Sequence, residues 1–293
     1  MGLATATHYT VRSLQRYGED VLTATLANRA DASQTASLLL MHVLSYSAYS
    51  DLVLHADKPV NGIFIRRYRS FLKRRKRGEP VQYIVGSVAF MDLVLNVSPA
   101  CLIPRPETEL LVEHVLSFAR TVGRPCSVLD IGTGSGNIAI ALAFYLKDSM
   151  IDAVDVSKKA LSLAQHNAAH NHIVGSISFH HGVLFDAIPG KKRYTVIVSN
   201  PPYVSRDELL AAQPELRWEP RKALIAKNDG LEFIEKIIAG AYSRLEEHGA
   251  LFLEIGYRHG TTVRSLLENN GYKQIAIIKD LSNHDRIACG YKK

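Results

Sequence analysis

Ser127-Val128-Leu129-Asp130-Ile131-Gly132-Thr133-Gly134-Ser135-Gly136 is the stretch whose reading decides the fold. A short apolar run that ends in glycines is a buried strand entering a tight turn. Glycines at 132, 134 and 136 let the backbone turn sharply and let a ligand approach it closely. The apolar run Ile138 to Leu146 is the helix after that turn. Toward the C-terminus the alternation continues. Met150 to Val154 predicts a second strand with Asp155 at its tip, and Ser157 caps a helix to about His170. Ser176 to His180, Tyr194 to Ser199 and Ala250 to Ile255 read as further strands, with helices at Gly230 to Glu247 and Thr261 to Asn269. Strands near Lys273 to Ile278 and Arg286 to Tyr291 complete the series. Strand–helix alternation of this kind specifies an α/β fold, a mostly parallel sheet with helices on both faces.

Toward the N-terminus the pattern is different. Val88, Phe90, Leu93, Leu95 and Val97 alternate with period two and predict a β-hairpin closed by Ser98-Pro99. The segment Ile103-Pro104-Arg105-Pro106-Glu107-Thr108-Glu109 is held extended by its prolines until a helix begins. Leu110, Leu111, Val115, Leu116 and Phe118 form that helix's expected buried face. Before Gly78 and Pro80 the apolar spacing is helical. A helix is expected over 11–30, a second with Asp31 or Ser33 as its cap, a short one at Asp51 to His55, and a longer one opened by Pro59. This all-helical region carries no cofactor motif and suits recognition or docking.

At 293 residues two domains are expected. Hydrophobic residues are 47% and charged residues 22%, an ordinary soluble composition that excludes disordered and fibrous classes. The longest apolar run is too short to span a bilayer, and no secretory leader pattern opens the chain. Cys101, Cys126 and Cys289 form no CxxC pair, which suits a reducing compartment and argues against zinc. His166 and His170 lie four apart without a third ligand, so they read as a solvated helix face and no metal is expected. Net charge is +7, and much of the excess lies in Arg66-Arg67, Arg69 and Lys73-Arg74-Arg75-Lys76-Arg77. That run suits either contact with nucleic acid or an acidic protein, or simply a solvated helix face.

The glycine turn and Asp155, nineteen residues after Gly136, form a site for an adenosine-containing cofactor. A carboxylate at the tip of the second strand can accept both ribose hydroxyls. These features alone do not separate NAD from S-adenosyl-L-methionine. Asp130 directly before the glycines, and a GxGxG rather than GxGxxG spacing, favour S-adenosyl-L-methionine. So does Asn200-Pro201-Pro202-Tyr203, which leaves the carboxyl end of the fourth strand. Proline has no N–H and biases its predecessor to extended geometry, so backbone carbonyls there stay out of the ladder. The Asn200 side-chain oxygen and the Pro201 carbonyl can each accept one N–H of a planar –NH2 group. Tyr203 is expected to offer a stacking face.

Together these residues resemble the release factor glutamine methyltransferases, the HemK/PrmC family. The resemblance spans most of the chain. It is carried by Gly78-Glu79-Pro80-Val81-Gln82-Tyr83, Gly86 with Phe90, Val97-Ser98-Pro99, and Ile103 to Glu109. It continues through Asp130 to Gly136, Asn200 to Tyr203, and Glu219-Pro220 leading to Ala223-Leu224. It implies a class I, Rossmann-like methyltransferase with a mostly parallel seven-stranded sheet, a small helical N-terminal domain and a β-hairpin linker. The implied division is 1–82 for substrate recognition, 83–104 for the linker and 105–293 for catalysis. The implied reaction is methylation of the side-chain amide nitrogen of the glutamine in the Gly-Gly-Gln loop of peptide chain release factors. By the resemblance, Asp130, Gly132, Thr133, Gly134, Ser135, Gly136, Asp155, Leu184 and Asn200 bind cofactor. Phe90, Arg105, Glu107, Thr108 and Asn200 to Tyr203 meet substrate, and Asn200, Pro201, Pro202 and Tyr203 carry the chemistry. Where the family often has an acid beside the adenine, this chain has Val183-Leu184-Phe185, which makes that contact apolar. A cytoplasmic monomer is expected. The main competing reading is a nucleic-acid N6-adenine methyltransferase, which shares Asn-Pro-Pro-Tyr. A methyltransferase fold kept as a binding module and an NAD-linked enzyme are the others.

Overall fold

The computed structural model describes residues 9–26, 28–188, 190, 192–211 and 214–293. The chain divides into two units, Met1–Gly86 and Ser87–Lys293. In the first, amphipathic helices α1 (Val11–Thr23), α2 (Arg29–Leu44), α3 (Tyr49–Leu54), α4 (Gly62–Lys76) and α5 (Val81–Val85) surround one apolar core. Leu14 and Leu22 of α1 meet Leu39, Leu40 and Val43 of α2 and Tyr68 and Leu72 of α4 there. Tyr68 fills the space beside Gly18, where a Cβ would lie 1.9 Å from its hydroxyl. That hydroxyl donates to the Ala36 carbonyl at 3.1 Å.

Boundaries in this unit differ from the sequence expectation for a local reason. Helix α1 stops at Thr23, and α2 is capped by Asn28, whose side chain accepts from the Asp31 N–H at 2.7 Å. Asp31 and Ser33 therefore lie inside α2. Similarly, Asn61 caps α4 by accepting from the Ile63 N–H at 2.9 Å, so Pro59 does not open it. Pro59 instead bridges Thr10. An asparagine cap is as effective as Asp or Ser, and it won at both places.

The second unit begins with an antiparallel hairpin, β1 (Ser87–Phe90) and β2 (Leu93–Asn96). There follow α6 (Pro106–Val122), β3 (Ser127–Ile131), α7 (Asn137–Tyr145), β4 (Met150–Asp155), α8 (Lys158–His170), β5 (Ile177–His181) and β6 (Tyr194–Ser199). Short helices α9 (Arg206–Ala211) and α10 (Arg221–Leu224), which sequence reasoning missed, precede α11 (Glu232–Arg244) and β7 (Leu245–Glu254). Helix α12 (Gly260–Asn269) and strands β8 (Lys273–Lys279) and β9 (Asp285–Tyr291) end the fold. The seven-stranded sheet has the order β5-β4-β3-β6-β7-β9-β8, and β9 runs against both neighbours. The sheet is buried on both faces, so β6 is buried along its whole length. The hairpin, α6 and α7 cover one face, and α11 and α12 cover the other.

Chain order reverses between β3 and β6: β4 and β5 extend one way from β3, β6 and β7 the other. Ligands of open α/β sheets bind at such a switch point, outside the carboxyl ends of the strands. Among the described residues no helix is long and apolar enough to cross a membrane.

Candidate active site

The carboxyl ends of β3, β4 and β6 open on a cavity of about 300 Å³. Its β3–β4 end is built largely by backbone. Gly134 takes a positive φ of 56°, and its N–H donates to Asp155 Oδ2 at 2.9 Å. The Ser157 N–H donates to Asp155 Oδ1 at 2.8 Å. Burial raises the Asp155 carboxyl above its ordinary value, and these two N–H groups offset only part of that rise. Gly136 (φ +85°) caps α7, and a Cβ on it would lie 2.8 Å from Ile140 Cδ1 and 3.1 Å from Ala164 Cβ. Asp130 lies under the turn at 0% exposure. Burial pushes its carboxyl up to about 7, only partly offset by the nearby Thr133 hydroxyl and Ala139 N–H. Both Asp130 oxygens and the hydroxyls of Thr133 and Ser135 are buried without a hydrogen bond of ordinary geometry. Each such group costs about 1–3 kcal/mol, so this turn is arranged for a ligand as much as for the fold.

The β6 end is built by side chains. Asn200 Nδ2 donates to Thr108 Oγ1 at 3.0 Å, and Thr108 Oγ1 donates to Glu254 Oε2 at 2.6 Å. The Tyr203 hydroxyl donates to Glu254 Oε1 at 3.0 Å. No described residue donates to Asn200 Oδ1 or to the Pro201 carbonyl, and both residues line the cavity. Glu219 is 4% exposed; it pairs with Arg105 and accepts the Ile103 N–H at 3.0 Å. That carboxylate holds the extended Ile103–Arg105 segment along the cavity wall. Arg221 and Lys222, both exposed, line the cavity as well.

Residues 106–217 match the Methyltransferase small domain family, and residues 15–86 match the PrmC N-terminal domain family. A release factor glutamine methyltransferase of Burkholderia pseudomallei is 39% identical over 259 residues, covering 87% of this chain and 90% of the relative. One from Neisseria gonorrhoeae is 40% identical over 256 residues, covering 87% and 92%. The chain belongs to the release factor glutamine methyltransferase family. Solved structures agree on the fold alone. A methyltransferase from Pyrococcus furiosus, 18% identical, aligns with a TM-score of 0.51 over 70% of this chain and 91% of its own. The T. thermophilus 16S rRNA N2 G1207 methyltransferase (RsmC), in complex with AdoMet and guanosine, is 17% identical, with a TM-score of 0.53 over 71% and 50%.

The donor set of this family member fits its cofactor, S-adenosyl-L-methionine. Asp155 is a fixed carboxylate suited to a ribose diol. Val156, Val183, Leu184, Phe233 and Ile237 give an apolar stretch of wall suited to an adenine. Gly132 to Ser135, which line the cavity beside the orphaned Thr133 and Ser135 hydroxyls, suit the amino-acid end. Of the residues expected to bind cofactor, Gly132, Thr133, Gly134, Ser135, Asp155, Leu184 and Asn200 line the cavity. Asp130 and Gly136 do not; they support the turn from behind.

On the substrate side, Arg105, Thr108, Asn200, Pro201 and Pro202 line the cavity. Three of the expected substrate residues lie outside this cavity's lining. Phe90 is 1% exposed and packs in the core with Leu93 and Leu95, so it does not line this cavity. Glu107 is exposed and lies outside the cavity lining. Tyr203 offers no face to the cavity: its ring packs against the apolar core under the sheet and its hydroxyl is committed to Glu254. Burial and the adjacent Glu254 carboxylate push its phenol upward. Glu254 was missed, and Glu219, quoted in the resemblance, was given no role there. For Glu254 a signal was present, since it is the lone acid in the apolar run Ala250 to Ile255.

Proposed function

We propose that this chain transfers the methyl group of S-adenosyl-L-methionine to the side-chain amide nitrogen of the glutamine in the Gly-Gly-Gln loop of peptide chain release factors. Its relatives at 35–40% identity carry the name release factor glutamine methyltransferase, which favours this over methylation of adenine in nucleic acid. The observation that carries the reading is the pair of acceptors to which no described residue donates, Asn200 Oδ1 and the Pro201 carbonyl, at the mouth of β6. S-adenosyl-L-methionine, when bound, supplies a methyl already activated by its sulfonium. An amide nitrogen is a poor nucleophile, because its lone pair is delocalised into the carbonyl. Asn200 and Pro201 each accept one N–H, fix the amide plane and stabilise positive charge that develops on nitrogen. Pro201 and Pro202 bring no N–H to this turn, and no described backbone N–H takes the Pro201 carbonyl. The methylated nitrogen is acidic enough to release its proton to water, so no dedicated base is assigned.

Tyr203 acts in this scheme through Glu254 rather than by stacking. Gly132 to Ser135, Asp155 and Leu184 hold cofactor, while Arg105 and Thr108 border the substrate. We assign residues 1–82 to release-factor recognition, 83–104 to the linker and 105–293 to catalysis, in a cytoplasmic monomer. The exposed Arg66, Arg67, Lys73 and Lys76 of α4 are available to the partner or to ribosomal RNA, whereas Arg74 pairs with Glu79 and Arg75 is buried; catalysis does not require them. The test is transfer of labelled methyl to purified release factor, with mass mapping of the modified residue. Label on the loop glutamine supports the reading. Label on RNA or DNA offered in parallel, with none on the protein, overturns it.

A further inference from the structure

A carboxamide such as Asn200 can present either its oxygen or its –NH2 group to a ligand. For gripping another amide by its hydrogens only the oxygen serves, because –NH2 against –NH2 opposes donor to donor. The chain's own hydrogen bonds make the choice. Glu254, at the end of β7, is 0% exposed, and as a carboxylate it can only accept. It takes the protons of Thr108 at 2.6 Å and of Tyr203 at 3.0 Å. A hydroxyl has one proton. Having given it to Glu254, Thr108 Oγ1 turns only lone pairs toward Asn200, which must answer with Nδ2, at 3.0 Å.

We propose that Glu254 is a positioning residue for methyl transfer: it sets the direction of the Glu254–Thr108–Asn200 hydrogen-bond chain and so turns the Asn200 oxygen toward the substrate amide. This rests on the function proposed above. The groups facing Glu254 are Thr108 and Glu107 on α6, Tyr203 after β6, and Arg286 on β9. Burial, with a smaller push from Glu107, raises its carboxyl, while Thr108, Tyr203 and Arg286 pull it down. The balance is upward, above the ordinary 4.5. When Glu254 takes up a proton it becomes a donor, Thr108 is free to point its own proton at Asn200, and the amide's orientation is lost.

Glu254→Gln tests this with no change of shape. The new –NH2 must donate to Thr108 or to Tyr203. Arg286 already faces the Tyr203 oxygen at 3.5 Å, so the amide donates to Thr108 and reverses the chain. The expected result is a fall in kcat of roughly 10²-fold, with KM for release factor and cofactor Kd little changed. The decline of kcat on the acid side, present in the parent above pH 4.5, disappears in the variant. A kcat within a few-fold of the parent, or an unchanged acid decline, overturns the proposal. If Glu254→Gln does not fold, Thr108→Val cuts the chain at its middle. The same fall in kcat with cofactor binding retained supports the proposal, and a normal kcat overturns it. A parent that fails to methylate release factor overturns the functional reading and this inference with it. An active parent with a fully active variant overturns the inference alone.

Discussion

At the β3–β4 end of the cavity the ligand meets mostly main chain: a glycine turn, with the Asp155 carboxylate pinned by two backbone N–H groups. At the β6 end it meets an asparagine whose orientation depends on Thr108 and a buried glutamate drawn from distant parts of the chain. One end is therefore local in sequence and tolerant of change in distant side chains. The other is a tertiary assembly in which a single proton placed on the wrong oxygen reverses what is offered. Binding and turnover should separate accordingly, with damage to the first end appearing in cofactor affinity and damage to the second in rate.

The largest expected effect is at the acceptor end. Asn200→Ala should lower kcat by about 10²-fold or more, the scale of one transition-state hydrogen bond, while the protein stays folded and still binds cofactor. Near-normal turnover in single-turnover kinetics would remove Asn200 from the proposed role. Next, Asp155→Ala should weaken cofactor binding by about 10- to 100-fold, the cost of about 1.5–3 kcal/mol for hydrogen bonds to a charged group. Turnover at saturating cofactor should change far less. Calorimetry alongside kcat measures both, and a fall confined to kcat would erase the contrast between the two ends.

A smaller effect is expected from Asp130→Asn. The folded carboxyl lies at about 7 against an ordinary 3.8, so its contribution to stability is complete below 3.8 and is lost as pH rises through about 7. The asparagine does not titrate. Melting temperatures of variant and parent should therefore diverge in the variant's favour as pH rises across that window. A difference that stays constant with pH would show that the buried acid is not held protonated. Smallest of all, Val183→Asp should tighten cofactor binding about threefold by adding one acceptor beside the apolar wall, with repulsion from Asp155 limiting the gain. Unchanged or weaker affinity would place the adenine away from residue 183.

Legibility followed the same division. The glycine turn, Asp155 and the Ser157 cap could be read from sequence because each stands at the end of a short apolar strand or the start of a helix that its neighbours mark. The sheet could be read because β6 and its neighbours are short apolar runs separated by turn residues. Phe90 and Tyr203 were expected to meet substrate, Phe90 by the resemblance and Tyr203 by its stacking face, yet both rings pack against the sheet's two cores. Nothing local joins Thr108 to Glu254, 146 residues apart, or Arg105 to Glu219, 114 apart. Such pairs become visible only when topology brings the start of α6 beside the loops after β6 and β7. The helix caps at Asn28 and Asn61 failed for a milder reason, since Asn, Asp and Ser compete nearly equally for that position.

The Glu254–Thr108–Asn200 chain also has a bearing on biosynthesis. The glycine turn is complete early in translation, whereas the carboxylate that orients Asn200 emerges from the ribosome much later and matters only once β7 has been zipped into the sheet. Until β7 is in place Asn200 lacks the carboxylate that orients it, and methylation competence becomes a readout of finished folding.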